Sequence, residues 1–273
     1  MSEKAPARRA VVPTPWLWEF PEATEASEVT LLLLPHAGGS PHTYADLAAK
    51  LPSSIRVLAG QYPGRGSRMR DPLPERLTDL VEPLTEAVER WVDGPLVVFG
   101  HSLGAMVGWQ LVRRLEAAGR EVGGFAPASC LPPHLARPVV DTSSRFIADD
   151  ELEAYLRSLG GLPEEFFEEP ELLELVMPIV RADLGLTVDY PEPGGTHRVS
   201  CPVLAIGGEA DAAVPSDGLA RWSECADAGM DVRVMTGGHF FYQDHLADVA
   251  GLLAEMAAAA AAAAAAQPSS RRA

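Results

Sequence analysis

The sequence predicts an α/β fold: a mostly parallel central sheet flanked by helices, with a helical insertion late in the chain. Three observations predict it. Short apolar runs stopped by Gly or Pro recur from residue 29 onward, helical periodicity fills the gaps between them, and one long interval, 134–192, holds helical pieces and no convincing strand. A short continuous apolar run is what a strand buried on both faces looks like. Alternating such runs with helices gives βαβ units and therefore parallel pairing.

Residues 1–15 carry Pro6, Pro13 and Pro15 and read as a flexible leader. Trp16, Trp18 and Phe20 alternate, which predicts a short edge strand with one aromatic face. Buried strands are predicted at 29–34, ending at Pro35, at 55–59, closed by Gly60, and at 96–99, closed by Gly100, followed by 124–128, 203–206 and 232–235. Helices are predicted at 43–51, 77–91, 103–118, 216–226 and 242–256. The expected organisation is a core over 16–133 and 193–256, a helical lid insertion at 134–192 and flexible termini at 1–15 and 257–273. Within the insertion, 149–159 and 170–183 read as helices. In an open parallel sheet such an insertion sits over the carboxyl ends of the strands, where ligands bind. Ten alanines at 257–266 are expected to extend the last helix and fray, with no function of their own.

Composition excludes several classes. The chain has 273 residues, 47% hydrophobic and 22% charged, which is not the make-up of a disordered chain, a collagen or a disulfide scaffold. With 22 basic against 38 acidic residues the net charge is −16, unsuited to nucleic acid or to an anionic membrane surface. Thirteen acidic and two basic residues (Arg157 and Arg181) fall between 149 and 192, so that 44-residue stretch carries −11 of the total. Cys130, Cys201 and Cys225 are widely spaced and form no C-x-x-C, which predicts buried free thiols in a reducing cytoplasm. No secretory signal is visible. The apolar stretch 249–266 is mostly alanine and contains Glu255, which argues against a membrane span.

The strongest chemical signal is Gly100-His101-Ser102-Leu103-Gly104, placed between a predicted strand and a predicted helix. That context is the nucleophile elbow, a sharp turn that exposes a serine hydroxyl above the sheet and beside a helix N-terminus. A serine needs a base. His239, in a glycine-flanked turn just past the last strand, is the expected one; His245 competes but falls in a predicted helix. His101 is expected to pack, and His42, His134 and His197 to be solvated. The base needs a carboxylate to fix its tautomer. Asp211, in the loop after the strand at 203–206, is best placed, with Glu209 and Asp217 as alternatives. The backbone N–H groups of Leu103 and of Ala37, in the glycine-rich loop 35–40, are the expected oxyanion hole, with His36 ordering that loop. No Asp, Glu or His spacing suggests a metal site, and this chemistry needs no cofactor.

These residues resemble the free-standing type II thioesterases that accompany polyketide synthases and non-ribosomal peptide synthetases. The likeness spans roughly 16–256 and rests on Leu34-Pro35-His36-Ala37-Gly38-Gly39-Ser40, Gln61-Tyr62-Pro63-Gly64-Arg65, Phe99-Gly100-His101-Ser102 and Gly237-Gly238-His239-Phe240-Phe241. In the insertion, Leu159-Gly160-Gly161, Pro170-Glu171-Leu172 and Arg181-Ala182-Asp183 share it. The resemblance implies an α/β-hydrolase fold with a helical lid, triad positions at Ser102, Asp211 and His239, and removal of aberrant acyl units from the phosphopantetheine arm of carrier proteins. It implies acylated carrier proteins as partners; a cytoplasmic monomer is the accompanying expectation. Leu103 stands where the family commonly has methionine, and Ser129-Cys130-Leu131 lacks an arginine often found there. A carboxylesterase or lipase, a chain-releasing thioesterase and a non-catalytic hydrolase-fold binding partner stay open as alternatives. Carrier proteins are usually acidic, so the docking face should be locally basic or apolar; the densest basic run, Arg65, Arg68, Arg70 and Arg76, is the candidate contact.

Overall fold

The computed structural model describes residues 14–21, 27–143, 145–160, 164–192 and 197–266. Most of the predicted leader (1–13), Gly161, the junction at 193–196 and the end of the chain (267–273) lie outside the described residues. Among those described, seven strands form one sheet: β1 (Leu17–Glu19), β2 (Val29–Leu34), β3 (Ile55–Gly60), β4 (Leu96–His101), β5 (Gly124–Ala128), β6 (Val203–Gly208) and β7 (Met230–Met235). Their order is β1-β3-β2-β4-β5-β6-β7, and every neighbouring pair is parallel except β1 with β3.

The helices are α1 (Ala45–Ala48), α2 (Thr78–Trp91), α3 (Leu103–Ala117), α4 (Asp149–Leu159), α5 (Glu164–Phe167), α6 (Pro170–Leu186), α7 (Ser216–Ala220) and α8 (Leu246–Ala266). Side chains alternate across a strand, and β2 shows the consequence. Leu32 and Leu34 join the core under α2 and α3 with Leu80, Leu84 and Trp109, while Leu31 and Leu33 join the opposite core under α1 and α8 with Leu47, Val249 and Leu253. All six residues of β2 are buried, which is why this strand reads as one apolar run.

The edges depart from expectation. β1 spans three residues and buries Leu17, while Trp18 is 39% exposed beside the His42 ring. Phe20 is buried beyond the strand's end. Alternation fixes which residues share a face, but not which face is covered. The helices predicted at 43–51 and 216–226 each break, into a 3₁₀ turn (Pro41–Tyr44) before α1 and another (Arg221–Cys225) after α7. The last helix starts later than predicted, after a 3₁₀ turn at Phe241–Gln243, and the alanines continue it intact to Ala266. By length and composition α8 could cross a membrane. Its inner side instead lies on the sheet through Val249, Ala250, Leu253, Ala257 and Ala260.

Between β5 and β6, α4, α6 and the segment leading into α4 build a small core from Val140, Ile147, Leu152, Val180 and Leu184. Ala37, from the loop after β2, packs against it. The insertion therefore rests on the carboxyl end of the sheet.

Candidate active site

The loops leaving β2, β4, β5, β6 and β7 share that carboxyl edge. The chain winds one way from β2 to β3 and the other way from β4 onward, so the β2 and β4 loops diverge and open a crevice between them. Ser102 follows β4 directly. Its backbone sits at φ 54°, ψ −118°, its N–H donates to Ala128 O at 2.8 Å, and α3 begins at the next residue. Such a conformation is strained for a residue with a side chain. The turn is tight because α3 starts against the end of β2: a Cβ on Gly104 would run into the Leu34 carbonyl, and one on Gly100 into the Gly104 carbonyl.

Asp211 and His239 meet although 28 residues separate them. His239 Nδ1–H donates to Asp211 Oδ2 at 2.9 Å, and both side chains are buried. Asp211 Oδ1 accepts the Ala213 N–H at 3.0 Å, which fixes the carboxylate. With the proton on Nδ1, the other ring nitrogen of His239 carries the lone pair. That Nε2 is buried with no hydrogen-bond partner. Glu209 and Asp217 are exposed. His245 lies just before α8 and pairs with Thr236 Oγ1 at 2.9 Å, away from this cluster. His134 is not solvated: it is half-buried and pairs with Glu224 at 3.1 Å.

Two residues that sequence reasoning assigned no part in the chemistry, His101 and Ser129, hold His239 from behind. The His239 carbonyl accepts both His101 Nε2–H at 2.7 Å and Ser129 Oγ–H at 2.8 Å. Burial, then the neighbouring His239 and His36 rings, holds the His101 pKa well below the usual imidazole range, so it stays a neutral donor. Ser129 adopts φ 45° at the end of β5.

The loop 35–40 is pinned peptide by peptide. Gly39 N–H donates to His36 O at 2.9 Å, and His36 Nδ1–H donates to Ala37 O at 2.8 Å. Gly38 N–H donates to Asp183 Oδ2, on α6, at 2.8 Å. Burial lowers the His36 pKa to about 4 and keeps that ring neutral as well. Among the described residues, the Ala37 and Leu103 amide N–H groups have no hydrogen-bond acceptor.

The basic run is only partly committed internally: Arg70 is exposed, and Arg76 is 63% exposed despite its partner. Arg65 is buried, donates to Pro63 O at 2.6 Å and ion-pairs with Asp183. Arg68 pairs with Asp71 at 2.7 Å and lies over the Trp16 ring, and Arg76 pairs with Asp189 at 3.5 Å. Arginines packed against apolar surface take the nearest carboxylate, and here the insertion supplies two of the three. All three cysteines are free and buried, and burial pushes the Cys130 thiol up to about 12. Among the described residues, no group of three His, Cys, Asp or Glu side chains could hold a metal ion. A cleft of 660 Å³ lies at the opposite end of the sheet, lined by Glu116, Arg120, Cys201 and Ala260, and contains none of Ser102, Asp211, His239 or the 35–40 loop.

Comparison with known proteins places the chain. Residues 29–256 match the family model described as the thioesterase domain. The chain is 32% identical over 247 residues to Thioesterase PikA5 of Streptomyces venezuelae, covering 88% of this chain and 84% of that protein. Among solved structures it is similar to the type II thioesterase BorB from the borrelidin biosynthetic cluster, at 29% identity and a TM-score of 0.77, covering 92% of this chain and 98% of that one. It is also similar to YbtT, the type II thioesterase from the yersiniabactin NRPS/PKS pathway, at 25% identity and a TM-score of 0.76, covering 90% and 99%. With its α/β-hydrolase sheet and these relatives, the chain belongs to the thioesterase domain family and is a type II thioesterase, a hydrolase of thioesters.

Proposed function

We propose that the enzyme clears aberrant acyl groups from the phosphopantetheine arm of carrier proteins, with Ser102 as nucleophile, His239 as base and Asp211 as the carboxylate that orients it. The observation that carries this reading is the buried 2.9 Å pair of His239 Nδ1 and Asp211, which leaves Nε2 basic and without a partner at the edge where the strained Ser102 stands. Nε2 takes the Ser102 proton as Oγ attacks the thioester carbonyl. The oxyanion is received by the N–H groups of Ala37 and Leu103, which are otherwise unengaged. Collapse expels the pantetheine thiolate, a good leaving group that needs little acid help, and the imidazolium returns the proton to it. Water, deprotonated by the same nitrogen, then splits the acyl-serine ester and restores Ser102. Preorganised amide donors of this kind account for about 10²- to 10³-fold in rate each.

YbtT, whose pathway is named as NRPS/PKS, supports carrier proteins as the partners. We assign the enzyme to the cytoplasm as a monomer acting away from membranes, in keeping with its three free thiols and with an α8 whose inner side is packed on the sheet. The test is mass spectrometry of a panel of acylated carrier proteins treated with wild type and with Ser102→Ala. Wild type should remove the acyl mass and Ser102→Ala should leave it. Retained turnover in Ser102→Ala would remove the serine from the mechanism.

A further inference from the structure

We propose that Asp183, carried on the lid helix α6, is a positioning residue for the oxyanion hole. The inference rests on the assignment of Ala37 N–H as an oxyanion donor. Ala37 N–H belongs to the His36–Ala37 peptide, and the next peptide, Ala37–Gly38, pivots on the same Cα. That second peptide is held at both ends: its carbonyl by His36 Nδ1–H at 2.8 Å and its N–H by Asp183 Oδ2 at 2.8 Å. Without Asp183 it would be held at one end only, and Ala37 would be free to turn its donor away from the substrate.

The contact is built to exclude slack. α6 presents Val180 and Asp183 three residues apart, on one side of the helix. Gly38 has φ 75°, and a Cβ there would lie 2.7 Å from Val180 Cγ2. The helix thus presses on the loop backbone itself. Asp183 is fully buried beside the buried apolar residues Ile179, Val180, Leu184 and Leu186 of the same helix, and its counter-ion Arg65 is 5% exposed. An apolar pair of similar volume would join lid and core at least as firmly, because desolvation offsets most of the attraction in a buried ion pair. What the carboxylate adds is direction: one oxygen receives both Gly38 N–H and the Arg65 guanidinium. Because that oxygen travels with the insertion, seating α6 and assembling the hole are one event. Sequence spacing could not show this, since Asp183 is 145 residues from Gly38 and 118 from Arg65.

The test measures kcat and KM of the full chain on the propionyl thioester of N-acetylcysteamine. In Asp183→Asn the amide oxygen can take both bonds, and the NH2 falls where Asp183 Oδ1 has no partner. This variant also removes the counter-charge of Arg65 but keeps an oxygen for its guanidinium and should hold kcat within about 3-fold of wild type, whereas Asp183→Leu leaves Arg65 with neither charge nor acceptor and is prone to misfold. The informative variant is therefore Asp183→Leu combined with Arg65→Met, which removes the charges together. With wild-type circular dichroism it should lose about 30- to 100-fold in kcat with KM within about 2-fold, the pattern of an interaction made in the transition state. An unchanged kcat in that folded double variant, or a loss residing in KM, overturns the proposal. So does a fall of more than about 10-fold in Asp183→Asn, whether or not the double variant folds. Ser102→Ala is the control: activity there would sink the catalytic assignment itself, whereas an inactive Ser102→Ala beside a fully active double variant would sink only the role given to Asp183.

Discussion

Three imidazoles crowd the site, with the His101 and His239 rings 5.1 Å apart and the His36 and His101 rings 5.6 Å apart, yet the proposed mechanism asks only one of them to accept a proton. Burial solves the problem by holding His36 and His101 neutral, so the charge formed during turnover stays on the ring that faces Asp211. The same arrangement makes stability depend on pH. In the unfolded chain both rings titrate near the ordinary 6.5, while burial brings folded His36 to about 4 and holds folded His101 well below 6.5. Below 6.5 the unfolded chain therefore binds protons that the folded chain does not. Unfolding free energy should fall as pH drops from 6.5 toward 4 and stay level above 6.5 on this account, at about 1.4 kcal/mol per pH unit for each fully protected ring. Urea titrations from pH 4.5 to 7.5 check it, and His101→Gln should flatten the slope by about one proton; a level wild-type profile between pH 5 and 6.5 contradicts it. Asp211→Asn should leave the fold intact and lower kcat by about 10³- to 10⁴-fold, because the amide favours the wrong tautomer of His239. The residues legible in sequence were those announced locally: the elbow glycines, the turn around His239 and the acid just past a strand. Asp183, Arg65 and Ser129 escaped because their partners lie 110 or more residues away. A signal for Asp183 did exist, a lone acid on the apolar half of a helix, but the surrounding excess of acidic residues masked it.

Strands were the most readable elements, because β2, β4, β5 and β6 are buried throughout and their apolar runs show it. β7 is an edge strand with a half-exposed pattern, and its start, like the ends of β4 and β6, lies two residues beyond the predicted limit. Short helices were the least readable, since α1 and α7 are one turn each and gain their stability from packing rather than propensity. In the alanine run, packing gives a structural role to residues whose composition suggests none. Its first turn is structural: Ala257 and Ala260 are buried on the sheet side, while the residues from 262 to 266 are exposed. A chain stopped after Ala261 should match wild type in thermal denaturation. A chain stopped after Met256 uncovers the sheet where two methyl groups had lain, a loss of about 1–2 kcal/mol. For a domain of this size that is about 2–6 °C in Tm. Equal melting of the two truncations would mean that the alanine turn contributes nothing.

At the scale of the whole molecule the charge distribution decides how a partner can approach. The chain carries −16, with −11 of it between 149 and 192, and those residues belong to the insertion over the carboxyl edge of the sheet. Arg65 and Arg76 offset only two of those charges, at Asp183 and Asp189, and Arg70 is the remaining exposed member of the basic run, so the edge stays negative. An acidic carrier protein bearing its acyl group toward this edge therefore meets repulsion over distances comparable to the Debye length, about 10 Å at 0.1 M salt. Like-charge repulsion slows encounter and is relieved by screening, so kcat/KM on an acylated carrier protein should rise, by about 3- to 10-fold, between 20 mM and 300 mM NaCl. A neutral N-acetylcysteamine thioester of the same acyl group experiences no such field and should show a flat profile, which separates encounter from any effect of salt on the chemistry. Replacing Glu168, Glu169, Glu171 and Glu174 with glutamine should raise the low-salt rate on the carrier and shrink the salt response without changing turnover of the small thioester. A carrier reaction that instead slows with salt would place an attractive, basic contact at the docking face and reverse the electrostatic account.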